Sequence, residues 1–249
     1  MKRAVDFLAA FVGLAILALP LSAIALLIFL EDHKSPFYRG VRVGRGCRPF
    51  RMLKFRSMIP GAAKTGVNST AEGDSRVTRV GRWLRAAKLD ELPQLLNVLT
   101  GEMSLVGPRP QVSAEVKLYT LAECRLLEVR PGMTDLASIV FNDEGKILEG
   151  AHNPDLLYNQ IIRPWKNRLA IEQIARPSVA IDLKVIALTL LAGFSKDRAL
   201  RRIERMLAGW NVDPALLRAA SRREQLRAAP PPGAHTVVSS YPRAEGAGA

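Results

Sequence analysis

The longest hydrophobic run of the chain lies close to its N-terminus. Residues 7–30 contain no charged side chain. As a continuous helix they would extend roughly 36 Å, more than the hydrocarbon core of a bilayer at about 30 Å. Pro20 lies in the middle of the run, where proline removes a backbone donor and bends or breaks a helix. Two arrangements fit this pattern: a single span, or a helix that breaks at Pro20 and re-enters the same side of the membrane.

Basic residues flank both ends of this run. Lys2 and Arg3 precede it, and the segment from His33 to Met58 is basic with no acid in it. The positive-inside rule therefore does not choose between the two arrangements, and both leave the rest of the chain in the cytoplasm. A cleaved signal peptide is disfavoured, because the run is long and no small-residue cleavage site closes it.

A strand pattern follows in residues 37–55. Val41 and Val43 alternate with Arg42, and a glycine-rich turn comes next, which predicts a β-hairpin. Its basic side fits either a solvated strand surface or contact with anionic head groups or substrate phosphates.

Apolar residues at helical spacing predict a helix over residues 76–87 and a second helix from Leu92. Asp90 is the expected N-cap of the second helix, and Gly101 its end. A short extended segment and a rigid turn follow, in which two prolines restrict Arg109 to extended conformations. Three later helices are expected, at residues 112–128, 155–168 and 181–192, and a turn is expected at residues 130–134. The last of these helices fits either the core or a membrane interface.

Composition narrows the partners. The net charge of +13 and the pI near 10.3 fit a nucleic acid, an anionic lipid surface or a phosphorylated substrate. Two widely separated cysteines, Cys47 and Cys124, argue against a disulfide framework. The three histidines are scattered, so a His/Cys metal site is not expected.

The candidate chemistry centres on Asp90 and Glu91. An ionised aspartate can attack phosphorus, and a neighbouring glutamate with water ligands can hold Mg²⁺ on a diphosphate. Arg85, Lys88 and Arg109 could neutralise phosphate oxygens. From local pattern alone, ordinary helix caps and surface ion pairs are the favoured explanation of these residues.

Longer sequence motifs indicate a protein family more specifically than these single residues do. In their order and spacing, four segments resemble the bacterial sugar transferases, the monotopic polyprenyl-phosphate phosphoglycosyl transferases. The segments are 54–58 (KFRSM), 89–95 (LDELPQL), 103–110 (MSLVGPRP) and 130–134 (RPGMT). The start at 2–6 (KRAVD) and the later 182–184 (DLK) are also similar, so the resemblance covers roughly residues 1 to 195.

This resemblance implies a two-step transfer. An aspartate attacks a nucleotide-diphosphate sugar, releases the nucleoside monophosphate, and passes the phosphosugar to a polyprenyl phosphate. It implies Asp90 as nucleophile, Glu91 as Mg²⁺ ligand, and Arg85 and Arg109 as phosphate contacts. Lys54 and Arg56 lie in a family motif, with a phosphate-binding or a structural role.

The expected architecture is a helix-rich α/β monotopic membrane protein of the minimal catalytic form, without the multi-helix N-terminal bundle of larger relatives. The expected divisions are a proline-broken re-entrant helix at 1–33, a catalytic domain at 34–197, and a basic, partly disordered tail at 198–249. Within this tail, the low-complexity last ~25 residues are expected to be disordered. The catalytic domain would face the cytoplasm at the bacterial inner membrane. The expected partners are a nucleotide-sugar donor (a UDP-sugar), the polyprenyl phosphate acceptor and membrane lipids; a homo-oligomer is compatible with the sequence, and no nucleic acid is expected.

Two departures from the family pattern concern specificity. Gly40 stands where the family usually has glutamine, and residues 135–138 (DLAS) replace the common GLWQ type of sequence.

Two other classes of function also compete with the transferase. One is a membrane-tethered basic protein that binds nucleic acid, and the other is an inactive scaffold for glycan assembly.

Overall fold

The computed structural model describes residues 2–62 and 74–241, and its first helix lies along the rest of the protein. Helix α1 (Lys2–Asp32) continues through Pro20, so the predicted interruption does not appear in its secondary structure. A helix can lose one hydrogen bond at proline and continue where neighbouring elements support it. Within the described residues, α1 is the only helix whose length and composition would let it cross a membrane.

One side of α1 packs on the protein and the rest is apolar and exposed. Ala10 and Ile28 are fully buried, whereas Ile16 and Leu19 are 72% and 80% exposed. The exposed surface is made of large apolar side chains: Val5, Phe7, Leu8, Phe11, Val12, Ile16, Leu19, Leu26, Leu27, Phe29 and Leu30. A contiguous apolar surface of this kind is typical of contact with lipid.

The N-terminal end of α1 is bonded to the folded body. Lys2 Nζ lies 2.6 Å from a carboxylate oxygen of Asp182, and the Arg3 guanidinium donates to the carbonyls of Val98 and Leu99. The Asp6 carboxylate accepts from the Ser104 hydroxyl at 2.7 Å and from the next backbone N–H.

The C-terminal end of α1 is bonded to the same body. The Arg56 guanidinium donates to both carboxylate oxygens of Asp32, at 2.6 and 2.7 Å. Glu31 accepts from the backbone N–H of Arg79 at 3.0 Å. Both ends of the apolar helix are therefore held on one folded unit.

The predicted hairpin is confirmed. Strands β1 (Phe37–Val43) and β2 (Pro49–Phe55) pair antiparallel, with Phe37 opposite Phe55. The inner side of β2 packs with α1 and with helix α3 (Gln94–Thr100) in a cluster that includes Phe50, Met52 and Leu95.

Helix α2 (Arg79–Ala86) confirms the first of the two predicted helices, and Gly101 ends α3 as expected, with a φ of 90°. The extended segment after it is strand β3 (Ser104–Val106). The turn expected at residues 130–134 is wrong in part, because Gly132–Thr134 forms strand β4, parallel to β3. A parallel partner this far away in sequence gives no local signal.

The remaining helices surround the largest hydrophobic cluster. The helix expected over residues 112–128 is interrupted, since Thr120 makes a capping box with Glu123 and starts a new helix there. The helices expected near 155–168 and 181–192 are present. The elements are α4 (Ser113–Val116), α5 (Leu121–Cys124), α6 (Leu136–Val140), α7 (Glu144–Ile147), α8 (Pro154–Leu157), α9 (Arg163–Ile174), α10 (Val179–Phe194), α11 (Lys196–Gly209) and α12 (Pro214–Ser221).

The C-terminal segment is folded against this cluster. Ile203 and Leu207 of α11 and Leu216 of α12 belong to the main core. The chain after α12 is irregular, yet its backbone accepts hydrogen bonds from Trp165 at residue 227 and from Gln160 at residue 238. The expectation of disorder in the last ~25 residues is therefore wrong for residues 225–241, because side chains of α9 and its neighbours bind their backbone; residues 242–249 lie outside the described part.

Candidate functional site

The two carboxylates lie on a short turn between α2 and α3. Lys88 adopts a left-handed conformation, with a φ of 57°, and ends α2. Leu89–Glu91 then forms one 3₁₀ turn, and Pro93 precedes α3. The prediction that Asp90 caps α3 is wrong, because the 3₁₀ turn and the proline separate it from that helix.

Asp90 is buried, and no partner of its side chain is found among the residues that the structure describes. Its residue surface is 8% exposed, and among the described residues no hydrogen bond or ion pair to its carboxylate is found. Burial raises the pKa of Asp90, while Lys54 nearby acts in the opposite direction, as do Arg85 and Arg109. The turn therefore presents a desolvated carboxylate among cations, a setting that is common at active sites.

Glu91 is bound on both oxygens. Lys54 Nζ lies 2.7 Å from Oε1, and the Arg109 guanidinium donates to Oε1 and Oε2 at 2.5 and 3.1 Å. Burial opposes ionisation, but Arg109 and Lys54 outweigh it and hold the pKa of Glu91 well below its usual range. Glu91 is therefore ionised and orients two cations beside Asp90.

The position of Arg109 depends on a close approach of two backbone segments. A Cβ on Gly132 would lie 2.1 Å from the backbone nitrogen of Gly107, so only glycine fits at the point where β4 meets the turn before Arg109. Glu91 raises the pKa of Arg109, and the arginine remains charged.

The other predicted phosphate contacts separate into two groups. Arg85 is half-buried in α2, acts on the pKa of Asp90, and has no ion pair among the described residues. Arg56 instead binds Asp32 and the Ser35 carbonyl, so it fixes the end of α1. Of the sequence-predicted residues, the structure therefore brings together Asp90, Glu91, Lys54, Arg85 and Arg109, and it leaves Arg56 at the helix anchor.

Three further residues near the site were not singled out from sequence. Burial lowers the pKa of Arg42, and Arg109 close by adds to this effect. The Glu144 carboxylate lies 2.8 Å from Lys166 Nζ, and Arg109 is one of the cations that lower its pKa. The only sequence signal for Arg42 was the alternation in β1, which assigned it to one side of the strand. No local sequence pattern indicated that Glu144 or Lys166 would lie near the site.

The site offers few protein ligands for Mg²⁺. In the described part of the chain no group of three or more His, Cys, Asp or Glu side chains could hold a metal. Two carboxylates are enough for Mg²⁺ when substrate phosphates and water supply the other ligands. Asp90 and Glu91 fit that requirement chemically, although both oxygens of Glu91 contact cations, at least one of which a metal would have to replace.

A carboxylate that is buried and unpaired among the described residues, a second carboxylate that orients two cations, and an apolar helix fixed to the same body are the features expected of an enzyme that acts on phosphates at a membrane. The chain belongs to the bacterial sugar transferase family, whose model matches residues 1–196.

Similar proteins carry transferase names. The UDP-glucose:undecaprenyl-phosphate glucose-1-phosphate transferase of Caulobacter vibrioides is 38% identical over 203 residues, which cover 80% of this chain and 71% of that protein. The UDP-N-acetylgalactosamine-undecaprenyl-phosphate N-acetylgalactosaminephosphotransferase of Aeromonas hydrophila is 40% identical over 56% of this chain and 34% of its own length. The exopolysaccharide production protein ExoY of Rhizobium meliloti is 40% identical over 55% and 68%. The family is thus one of enzymes, and its members differ in the sugar they are named for.

Proposed function

We propose that this protein transfers a sugar 1-phosphate from a UDP-sugar to a polyprenyl phosphate, through a covalent intermediate on Asp90. The main support for this proposal is the Asp90 carboxylate, which is buried and unpaired among the described residues. It lies beside a glutamate that orients Lys54 and Arg109. The names of the relatives support the donor and acceptor classes. The product would be the first membrane-bound intermediate of a surface glycan.

In the first step, a carboxylate oxygen of Asp90 attacks the phosphorus that carries the sugar. A new oxygen–phosphorus bond forms, and the bond from this phosphorus to the oxygen bridging the two phosphates breaks. UMP leaves with that oxygen. Burial makes the carboxylate poorly solvated, which favours its attack once it is ionised.

In the second step, a terminal oxygen of the polyprenyl phosphate attacks the same phosphorus. The bond to Asp90 breaks, and the carboxylate is regenerated. The product is a polyprenyl diphosphate sugar, and neither step needs an oxidant or an added proton donor.

The cations around Asp90 supply the charge that the reaction needs. A diphosphate and a carboxylate repel each other, so the attack requires neutralised phosphate oxygens. Arg109 offers a fixed fork of donors, and Lys54 a point charge. Arg85 is the third candidate contact, since no ion pair among the described residues competes for it.

Glu91 is the proposed Mg²⁺ ligand, together with the donor's phosphates. When bound, the ion would neutralise charge on the diphosphate. Substrate phosphates that take over Lys54 or Arg109 would free a Glu91 oxygen for the metal. Magnesium binding should be measurable without the first chemical step in the Asp90→Asn background, as a Mg²⁺-dependent rise in melting temperature with donor present that is lost when Glu91→Gln is added.

The topology of α1 is part of the proposal. A re-entrant or in-plane helix at the inner membrane, with the catalytic domain in the cytoplasm, is supported by the bonds that hold both helix ends on one body. A single span would carry one end to the far side of the bilayer and break one set of these bonds. Cysteines inserted after Met1 and at Lys34 should both be protected from an impermeant external thiol reagent; labelling of the N-terminal one alone would support a span.

The test of the reaction is UMP release from a panel of UDP-sugars with Mg²⁺ and undecaprenyl phosphate. Wild type should release UMP, and Asp90→Asn should lower the rate by about 10⁴-fold or more, as loss of a nucleophile does in other enzymes. Asp197→Asn, an exposed aspartate of α11, is the matched control. Without acceptor, intact-mass spectrometry should find one phosphosugar on wild type and none on Asp90→Asn.

Release that survives in Asp90→Asn would disprove the covalent route. Absence of release from every donor, with protein folded in lipid, would favour the scaffold or the nucleic-acid-binding alternative.

A further inference from the structure

A positively charged helix side lies beyond the residues that the family model matches. Four arginines of α11 are exposed: Arg198, Arg201, Arg202 and Arg205. Their spacing of i, i+3, i+4 and i+7 puts them on one side of the helix, while the apolar residues of the opposite side are buried in the core. Among the described residues no carboxylate lies within ion-pair distance of these four arginines, so this arginine face carries uncompensated charge.

The preceding helix has an exposed apolar side. Helix α10 buries only Val185 and Leu188. Leu183, Leu190 and Phe194 are 56%, 65% and 91% exposed, and their spacing places them on one side of the helix. This apolar stripe is large for a helix that faces water.

The two helices form one layer. Helices α10 and α11 pack on each other, and both contact α6. Val185 of α10 and Ile203 of α11 belong to the same core cluster. Both helices turn their buried sides toward this core, so the apolar stripe of α10 and the arginine face of α11 both point away from it.

This layer continues the exposed surface of α1. The ion pair between Lys2 and Asp182 joins the beginnings of α1 and α10. Val5 of α1 and Leu183 and Ile186 of α10 line one small cleft there. Val5 and Leu183 are both exposed, so the apolar surface passes from one helix to the other.

We propose that the apolar stripe of α10 and the arginine face of α11 form a second membrane contact, in which α10 lies in the interface and the four arginines bind anionic lipid head groups. An apolar helix side bordered by arginines is the composition of interfacial membrane helices. Basic residues at a membrane are attracted by anionic lipids. A nucleic acid could use the arginines but would leave the apolar stripe in water.

The test measures depth in the membrane and does not depend on catalysis. A Leu190→Cys protein with Cys47 and Cys124 replaced by serine is labelled with a fluorophore and reconstituted into vesicles of brominated phosphatidylcholine and phosphatidylglycerol. The reference protein keeps Leu190 and has only Cys47 replaced by serine, so that its label lies on the native, exposed Cys124. Quenching at position 190 should exceed that at position 124 by at least about twofold. Equal quenching at the two positions would overturn the proposal.

A charge-matched pair of variants tests the arginines. Arg201→Gln with Arg202→Gln and Arg205→Gln should reduce quenching at position 190 to the level found in vesicles without phosphatidylglycerol. The control variant removes the same charge from other exposed positions, by Lys117→Gln, Arg125→Gln and Lys146→Gln. It should leave the quenching at position 190 unchanged.

Binding of a single-stranded oligonucleotide at about 0.15 M salt tests whether the arginine face binds nucleic acid instead of lipid. If the arginine triple abolishes oligonucleotide binding but leaves lipid quenching unchanged, the arginine face binds nucleic acid and the proposal is wrong.

Discussion

Two arginine–glutamate pairs in this protein use the same chemistry for different ends. Arg163 and Glu123 are almost fully buried, with side chains 3% and 0% exposed. Every carboxylate oxygen is satisfied: Glu123 accepts from Arg163, from Asn167 and from the backbone N–H of Thr120. Arg163 also donates to Asn159 and to the Leu118 carbonyl.

Arg109 and Glu91 form the more open pair. Their side chains are 32% and 19% exposed, and a second cation, Lys54, shares the glutamate. Beside them lies Asp90, whose carboxylate has no partner in the described part of the chain. The first pair is a closed network that fixes α9 against α5, and the second leaves cationic capacity for an anionic ligand. Saturation of the hydrogen bonds separates a structural ion pair from a functional one more clearly than the residue types do.

The sharpest way to break the comparison is to remove the closed pair. Glu123→Gln leaves Arg163 buried without its counterion, and we expect a loss of about 3–5 kcal/mol in the free energy of unfolding. That loss lowers the melting temperature by about 10 °C, while UMP release per folded molecule stays near the wild-type rate. Thermal unfolding in detergent, followed by circular dichroism, measures the first quantity.

The control is Glu172→Gln, which breaks the half-exposed pair with Arg176 and should cost only about 0–1 kcal/mol. Equal losses in the two variants would contradict the role assigned to the closed network.

The open pair should respond in the opposite sense. Glu91→Gln removes the acceptor that orients Arg109 and Lys54, and we expect kcat/KM to fall by about 10²-fold, as when one group that positions transition-state charge is lost. The melting temperature should fall less than in Glu123→Gln, because water reaches the freed cations. A large loss of stability with unchanged kcat/KM would reverse the assignment of the two pairs.

The smallest expected effect is a change in pH dependence. Burial raises the pKa of Asp90, and Lys54 opposes this by favouring the ionised form. Because the nucleophile must be ionised, kcat/KM should fall as the pH drops through this pKa, above the ordinary aspartate value of about 3.9. Lys54→Gln removes a stabilising charge, so the acid limb should move to higher pH.

Arg56→Gln is the matched variant for that measurement. Arg56 comes from the same sequence motif but binds Asp32 and is not among the groups that shift Asp90. The acid limb of the kcat/KM profile of Arg56→Gln should stay at the wild-type pH. An unchanged limb in Lys54→Gln would mean that Lys54 does not act on the nucleophile.

Features that depend on local pattern were predictable from the amino-acid sequence. The apolar run predicted α1, period-two alternation predicted the hairpin, and Gly101 predicted the end of α3. The motifs predicted the family and brought Asp90, Glu91, Lys54, Arg85 and Arg109 forward together, since several motifs in one order are specific in a way that single residues are not.

Which charged side chains pair with one another depends on the tertiary structure. Lys54 and Arg56 are two residues apart in one motif, yet one meets Glu91 and the other Asp32, each far away in sequence. The same holds for the pairing of β3 with β4 and for the packing of residues 225–241, whose low-complexity composition predicted disorder. Ion pairs, parallel strand pairing and burial depend on contacts between segments that are distant in sequence, and local spacing carries no record of which segments will meet.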